Sequence, residues 1–399
     1  MTTSEFIETH KGDDVRKLAF LSGRYPEVDM AFALNQIAGY QTAQSKLPTW
    51  AATEGIIFPP HINMEQCSSE LTARYKANVL ARYVGASPSS YMDMTGGFGV
   101  DFSFMARGFK EAVYVERNAE LCQIAKHNLE LLQLDNFTAI NGNGEEELHR
   151  VEHIDAIFLD PARRDSNGGK VVALSDCAPD VIALKEELFH KADTIMLKLS
   201  PMLDWHKAIS DIGEEHTREV HIVSVNNECK ELLLILSATA TDKPIRIVCA
   251  DLSATGEQTF SYFIDDDSTS AIAGEEESEM ASFLYEPNTA TMKAGCFNQL
   301  SARYGAKQVA MNSHLFVAKE EIKDFPGRRF RVVALSSLNK RELKLSLSGI
   351  EKANITVRNF PMKVDVLRKK LKLKDGGSVF IFATTLSDNS HRLFICEKA

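Results

Sequence analysis

At 399 residues the chain exceeds the size at which one hydrophobic core stops growing, so two or three domains are expected. With 44% hydrophobic and 25% charged residues, no window near the run of about 20 apolar residues that a membrane span needs, and no basic start followed by an apolar core in MTTSEFIETHKGDD, neither a membrane protein nor a secreted one is expected. The formal charge of −10 argues against unspecific nucleic-acid binding by the whole molecule, yet residues 318–399 hold 18 Lys and Arg against 9 Asp and Glu, a net of +9 that leaves −19 for residues 1–317.

In chain order, apolar residues recur at helical spacing from Asp14 to Leu47, so residues 1–67 read as a helical extension interrupted at Pro59 and Pro60. The run SSELTARYKANVLARY predicts a helix with Ser68 at its cap and Glu70 in its first turn, leading into a buried strand at YMDM. Short apolar runs then alternate with helical segments: YMDM, AVYVE, the helix NAELCQIAKHNLELLQL, FTAIN, HIDAIFLD, a further helix and TIMLKL. That alternation predicts a parallel sheet flanked by helices, an α/β fold of Rossmann-like type over residues 68–263. EVHIVSVNNE, CKELLLILSA, PIRIVCADL and QTFSYFI leave little room for helices, so the sheet is expected to end in antiparallel strands. The acidic stretch over 264–280 reads as a linker, and the C-terminal part as a small α+β region.

The segment Asp93-Met94-Thr95-Gly96-Gly97-Phe98-Gly99 follows the first strand and precedes a helix, and its glycines allow a tight turn and a close backbone approach to a ligand. A glycine loop alone is weak evidence, since an ordinary turn explains it equally well. Glu116 strengthens it: the acid stands 17 residues after Gly99, at the end of AVYVE, where it can accept hydrogen bonds from ribose hydroxyls. Strand, loop, helix, strand and acid in this order resemble the class I S-adenosylmethionine (SAM) dependent methyltransferases. The resemblance implies SAM as cofactor, with Asp93, Thr95, Gly96, Gly97, Gly99, Glu116, Arg117 and Asp160 around it and Gly142 and Asn143 near its adenine. A dinucleotide dehydrogenase shares the loop and the acid, but its loop would read GxGxxG without an acid at the strand end.

After the fourth strand the chain reads FLDPARR, the place where the family sets an acidic or amide residue before a proline and faces the methyl acceptor. Methyl transfer from a sulfonium is a displacement, so alignment and proton removal are the main demands. Asp160 is the candidate carboxylate, either for the cofactor's amino group or for an attacking amine or hydroxyl, and Arg163 and Arg164 are candidates for holding a phosphate or carboxylate. Ala162 and Arg163 depart from the Pro-aromatic pair usual in enzymes that methylate exocyclic base amines, which puts that acceptor in doubt. A solvated turn is the plainer account of the two arginines. Lys198, ending TIMLKL, faces either substrate or an ion-pair partner. Ser68, Ser69, Glu70 and Lys76 precede strand one, where the family often closes over the methionine end of SAM; a helix cap explains Ser68 and Glu70 almost as well.

The seven cysteines are far apart and form no CxxC pair, so no metal site or disulfide framework is expected. Cys229 is the one cysteine beside a predicted strand end of the sheet, and its plainer reading is structural. The tail, from LYEPNTATMKAGCFNQLSARYG onward, is similar to a bacterial methyltransferase group that carries a ferredoxin-like piece (281–325) and then a THUMP-like basic domain (326–399). The resemblance implies an RNA substrate in the cytoplasm, a tRNA or rRNA base. Arg358, Lys363, Arg368, Lys369, Lys370, Lys372 and Lys374 could contact phosphates while Phe360 stacks on a base; the alternative sets Phe360 in the core behind a solvated helix face. Two other functions stay open: a methyltransferase for a small molecule or protein, and a protein that binds SAM and RNA without catalysis. The oligomeric state is left undetermined.

Overall fold

The structure, a computed structural model, describes residues 1–163 and 174–399, and for Arg163 and Asp176 the backbone alone. The chain forms two compact units whose segments interleave: one takes Met1–His221, Lys230–Ile245 and Leu252–Ala254, the other Ile222–Cys229, Arg246–Asp251 and Thr255–Ala399.

The first unit opens with helices, among them Thr3–His10, Met30–Lys46 and His61–Gln66. Local chemistry starts them: the Thr2 hydroxyl accepts the Glu5 N–H while the Glu5 carboxylate takes the Thr2 N–H, and Asp29 accepts the Phe32 N–H at 3.0 Å. Trp50, Phe58, Ala73, Phe98, Val100 and Leu121 form one buried cluster, so the helical segment packs directly against the residues of the glycine loop. Trp50 and Phe98 meet with ring centroids 4.7 Å apart.

Five strands follow in the expected order: β1 (Ser90–Asp93), β2 (Glu111–Glu116), β3 (Phe137–Asn141), β4 (Ile154–Leu159) and β5 (Ala192–Leu199). β1 pairs in parallel with β2 and β4, β3 with β2, and β5 with β4. β6 (Thr217–Val225) and β7 (Glu228–Ser237) come next, and β7 runs antiparallel to β5, with Leu197 opposite Leu234. The α/β class expected from the alternating pattern therefore holds, including its antiparallel ending. β4 and the second half of β7 are buried on both faces, which accounts for the nearly unbroken apolar runs IDAIFL and ELLLILS.

β8 (Arg246–Ser253) and β9 (Gly256–Phe263) precede the acidic stretch. Its second half is not free chain: a helix spans Glu275–Glu279, Glu277 pairs with Lys307, and Arg392 lies 3.1 Å from Glu275. The second unit then builds a sheet from β10 (Phe283–Pro287), β11 (Lys307–Gln308), β12 (Phe316–Ala318), β13 (Gly327–Ser336), β14 (Asn354–Arg358), β15 (Val379–Thr385) and β16 (His391–Lys398), in the order β11-β12-β10-β13-β16-β15-β14. Leu367 and Leu371 of the helix Val364–Leu371 pack against Ile355, Ile381 and Leu393, which fixes the polar face of that helix outward.

Candidate active site

β1 sits between β2 and β4, so the chain crosses to opposite sides of β1 as it builds the sheet, and a crevice opens beyond the carboxyl ends of β1 and β4. A cavity of about 430 Å³ lies there, within the range of small-ligand sites. Asp93, Gly97, Glu116, Asn143, Asp160 and Lys198 are part of its wall.

The glycine loop is held by contacts that glycine alone permits. Gly97 has φ +56° and Gly99 +85°, both in the left-handed region, and a Cβ on Gly96 would stand 2.2 Å from the Tyr114 ring. Where a Cβ of Gly97 would stand, the nearest atom is the Thr95 carbonyl at 3.7 Å, so this part of the loop is open. The Tyr114 hydroxyl donates to the Gly97 carbonyl, and the Glu116 carboxylate accepts the Gly97 N–H at 2.9 Å and the Asn118 N–H at 2.8 Å. Loop and acid are thus one hydrogen-bonded piece. Gly144 belongs to it as well, because a Cβ there would meet the Met94 carbonyl at 2.3 Å.

Asp93 is buried and accepts the Thr95 N–H at 2.9 Å, while the Asp160 N–H donates to the Thr95 hydroxyl at 2.7 Å, so Thr95 couples the ends of β1 and β4. Burial pushes the Asp93 carboxyl well above its ordinary value; the Thr95 N–H opposes the rise, and the charges of Asp101, Asp160 and Glu116 add to it. A cavity walled by Asp93, Asp101, Glu116 and Asp160 suits a cationic ligand with hydroxyls, and the open glycine loop suits close approach of its chain.

Lys198 faces this cavity and is at once ion-paired, 2.5 Å from Asp160 and 3.8 Å from Asp101, so both of its expected roles apply to one side chain. Burial works against its ammonium, but Asp160, Asp101 and Glu231 outweigh that and push its pKa upward. Lys198 is therefore a fixed cation and no base at neutral pH.

Of the other expected residues, Thr95, Gly96, Gly99, Arg117 and Gly142 also line the cavity. Asn143 lines it while its side chain caps the helix Gly144–Arg150, accepting the Glu145 N–H at 2.9 Å. The backbone of Ala162 and Arg163 pairs with Cys177 and Ala178; Arg164 lies outside the described residues, as does the side chain of Arg163. The cap of the helix Glu70–Leu80 is Ser69, which accepts the Thr72 N–H, and not Ser68. Ser68 instead lines the cavity and donates to Asp101 at 2.7 Å. Glu70 accepts the Thr49 N–H at 2.9 Å, and Lys76 is fully buried.

Asn63, Gln66 and Cys67 also line the cavity and carry no sequence signal, because they stand before the first strand in a segment without a glycine or acid pattern. Burial pushes the Cys67 thiol up, which disfavours a thiolate nucleophile there. Cys229 is half-buried. Asp101 and Tyr114 sit inside ordinary helix and strand patterns, where nothing marks them out.

In the second unit Lys363, Lys369, Lys370, Lys372 and Lys374 are exposed on and around the helix Val364–Leu371. The arginines expected beside them are engaged: Arg358 donates to Glu286 at 2.9 Å, and Arg368 lies 2.7 Å from Asp375. Phe360 is half-buried against the core beneath the helix and meets the His391 ring edge-on at 5.4 Å, so the core alternative applies and it is no free stacking platform.

Residues 77–178 match the family described as conserved hypothetical protein 95, a methyltransferase family; residues 283–326 match a ferredoxin-like domain and residues 327–398 a THUMP domain-like family. No curated protein matches the chain. Among solved structures, a candidate methyltransferase from Porphyromonas gingivalis W83 superposes with a TM-score of 0.85 at 29% identity, over 100% of this chain and 97% of that one. An rRNA methylase from Streptococcus thermophilus gives a TM-score of 0.32 at 14% identity, over 42% of this chain and 95% of its own. A Streptococcus mutans candidate methyltransferase in complex with SAH gives 0.31 at 16%, over 41% and 95%. At those TM-scores neither of the last two carries an argument. The fold, the cavity and the matches together define a methyltransferase-type α/β protein. It shares the α/β fold of its methyltransferase relative along the whole chain and carries a C-terminal match to a THUMP-like domain. Among the described residues no helix is long and apolar enough to cross a membrane.

Proposed function

We propose that the protein transfers a methyl group from SAM to a base of tRNA or rRNA. The observation that carries this reading is the cavity at the switch point between β1 and β4, where a bare glycine loop and five carboxylates, Glu145 among them, surround the space. SAM supplies an electrophilic methyl group on a sulfonium. Around it Glu116 accepts hydrogen bonds from ribose hydroxyls, the backbone of Gly96, Gly97 and Gly99 admits the chain of the cofactor, Arg117, Gly142 and Asn143 border the adenine, and Asp93 faces the amino end. Asp160 accepts a hydrogen bond from the N–H or O–H of the acceptor and aligns its lone pair with the methyl group; Arg163 and Arg164 are the candidates for holding a phosphate of the acceptor. Lys198 keeps Asp160 in place.

RNA is favoured because residues 327–398 match a THUMP domain-like family and present exposed lysines, a fitting surface for phosphates in an otherwise acidic chain. In this reading residues 1–67 form the wall over the cofactor, 68–263 the catalytic domain, 264–280 the connection, 281–325 the ferredoxin-like segment and 326–399 the RNA-binding domain, and the protein works in the cytoplasm. The test is transfer of labelled methyl from SAM to separated RNA, DNA and protein. Label in RNA, lost in Asp160→Ala, supports the reading. Label confined to protein or small molecules rejects RNA as the acceptor, and SAM binding without any transfer points to a binding protein.

A further inference from the structure

Five ionisable side chains, from four elements and the turn after β4, form a line of ion pairs that runs into the cavity wall. Glu231 on β7 meets the Lys76 ammonium with both oxygens at 2.7 Å; Lys76 stands 3.1 Å from Asp101; Lys198 on β5 stands 3.8 Å from Asp101 and 2.5 Å from Asp160. Lys76 is fully buried, the side chain of Glu231 is 4% exposed and that of Asp101 10%, whereas Asp160 at 40% faces the cavity. Asp101 Oδ1 receives no aligned hydrogen bond, so Lys76 meets it as a charge, while Ser68 donates to Oδ2 at 2.7 Å.

Charges removed from water are tolerated only when paired, and a buried ion pair seldom adds net stability over apolar side chains of the same size. Three carboxylates and two ammoniums leave one negative charge unbalanced. Lys76 is shared by Glu231 and Asp101, and Lys198 by Asp101 and Asp160, so the one surplus carboxylate belongs to the line as a whole, and Asp160 is the member of it that water reaches.

We propose that Lys76 and Glu231 are positioning residues for Asp160: the buried line of alternating charges fixes that carboxylate and leaves the unbalanced negative charge on it, at the methyl acceptor. The proposal rests on the cavity being the methyl-transfer site. Lys76 and Glu231 touch neither cofactor nor acceptor and act through Asp101 and Lys198.

The sign of each substitution follows. Glu231→Gln removes one negative charge and leaves the line neutral, so the acid limb of the activity profile moves to lower pH. Lys76→Met leaves three carboxylates with one ammonium and moves the limb to higher pH. The pair Lys76→Met with Glu231→Leu restores three groups and one surplus charge, so the limb returns to the wild-type position. The shifts are several tenths of a pH unit to about one unit, because the altered charges are not direct neighbours of Asp160. Asp93, in reach of Asp160, Cys67 and Lys46, in reach of Lys198, and Glu116 and Lys230, in reach of Asp93 and Lys46, are common to all four proteins and cancel in the comparison.

The experiment is the pH profile of methyl transfer to RNA for the full-length wild type, both single variants and the paired variant, with SAM affinity measured on the same samples by calorimetry. Opposite displacements that cancel in the pair support the proposal. Equal profiles, shifts of the same sign, or a pair that stays displaced overturn it, since a merely structural role gives losses of rate without opposed shifts. If Lys76→Met does not fold, the downward shift in Glu231→Gln and its reversal in the paired variant still decide. If SAM binds but RNA receives no methyl group, the RNA reading has failed, and the same pattern is sought in the pH dependence of SAM affinity, which the same carboxylate influences from the cavity wall.

Discussion

Tyr114 joins the second strand to the glycine loop through one hydroxyl, and its ring leaves no room for a side chain at position 96. Tyr114→Phe removes that donor and is expected to weaken SAM binding roughly 3- to 10-fold, the equivalent of about 1 kcal/mol, with little loss of global stability. Calorimetric titration checks this, and an unchanged affinity would show that the loop holds without the tyrosine. Gly96→Ala forces the loop or the ring to move and is expected to cost about 1–3 kcal/mol in thermal or urea unfolding. A second residue-scale test concerns Glu219. Burial alone would raise its carboxyl, but the hydrogen bond and charge of His221, 2.7 Å away, and the charge of Arg82 outweigh burial and hold it at about 2, below the ordinary 4.5. A carboxylate with a depressed folded pKa stabilises the protein above its unfolded value, and that stability is lost as pH falls through the folded one. Urea midpoints should therefore decline between about pH 5 and pH 2.5. Glu219→Gln should flatten the decline by on the order of 2 kcal/mol; a variant as pH-sensitive as the wild type would contradict this assignment.

The strands were legible in the sequence because each is a short apolar run closed by a chemically marked end: Asp93, Glu116 and Asp160 all stand where β1, β2 and β4 stop or just beyond. The antiparallel return of β7 was legible from the missing helix between the runs. The cavity wall before β1 was not. Asn63, Gln66 and Cys67 line it through the packing of Trp50, Phe58 and Phe98, a tertiary fact with no local pattern. Asp101 and Glu231 were hidden for the same reason: they are 130 residues apart in sequence and meet the same ammonium, that of Lys76. The acidic stretch read as a linker by charge alone, but Lys307 and Arg392 supply partners for its second half, which a local reading does not see. On the helix Val364–Leu371 and its flanks the expected lysines are exposed, whereas Phe360 and Arg358 go to packing and an ion pair. Replacing Lys363, Lys369 and Lys370 together with Gln is expected to lower the salt dependence of RNA binding by roughly 0.7 for each phosphate no longer neutralised, while SAM affinity stays unchanged. An unaltered salt slope would move the RNA surface elsewhere.

Charge is divided at the level of the whole molecule, with the cation-rich tail set against −19 over residues 1–317. The carboxylate-walled cavity lies in the first unit and the lysine-bearing helix in the second, surfaces suited to ligands of opposite charge. Burial and neighbouring carboxylates hold Asp93 above its ordinary value, and a cation entering the cavity opposes that rise. The most direct measurement is calorimetric titration of the full-length wild-type protein and of Asp93→Asn with SAM. One SAM bound per chain, with an affinity reduced in Asp93→Asn, is the predicted result. An absence of SAM binding would contradict the account at its base.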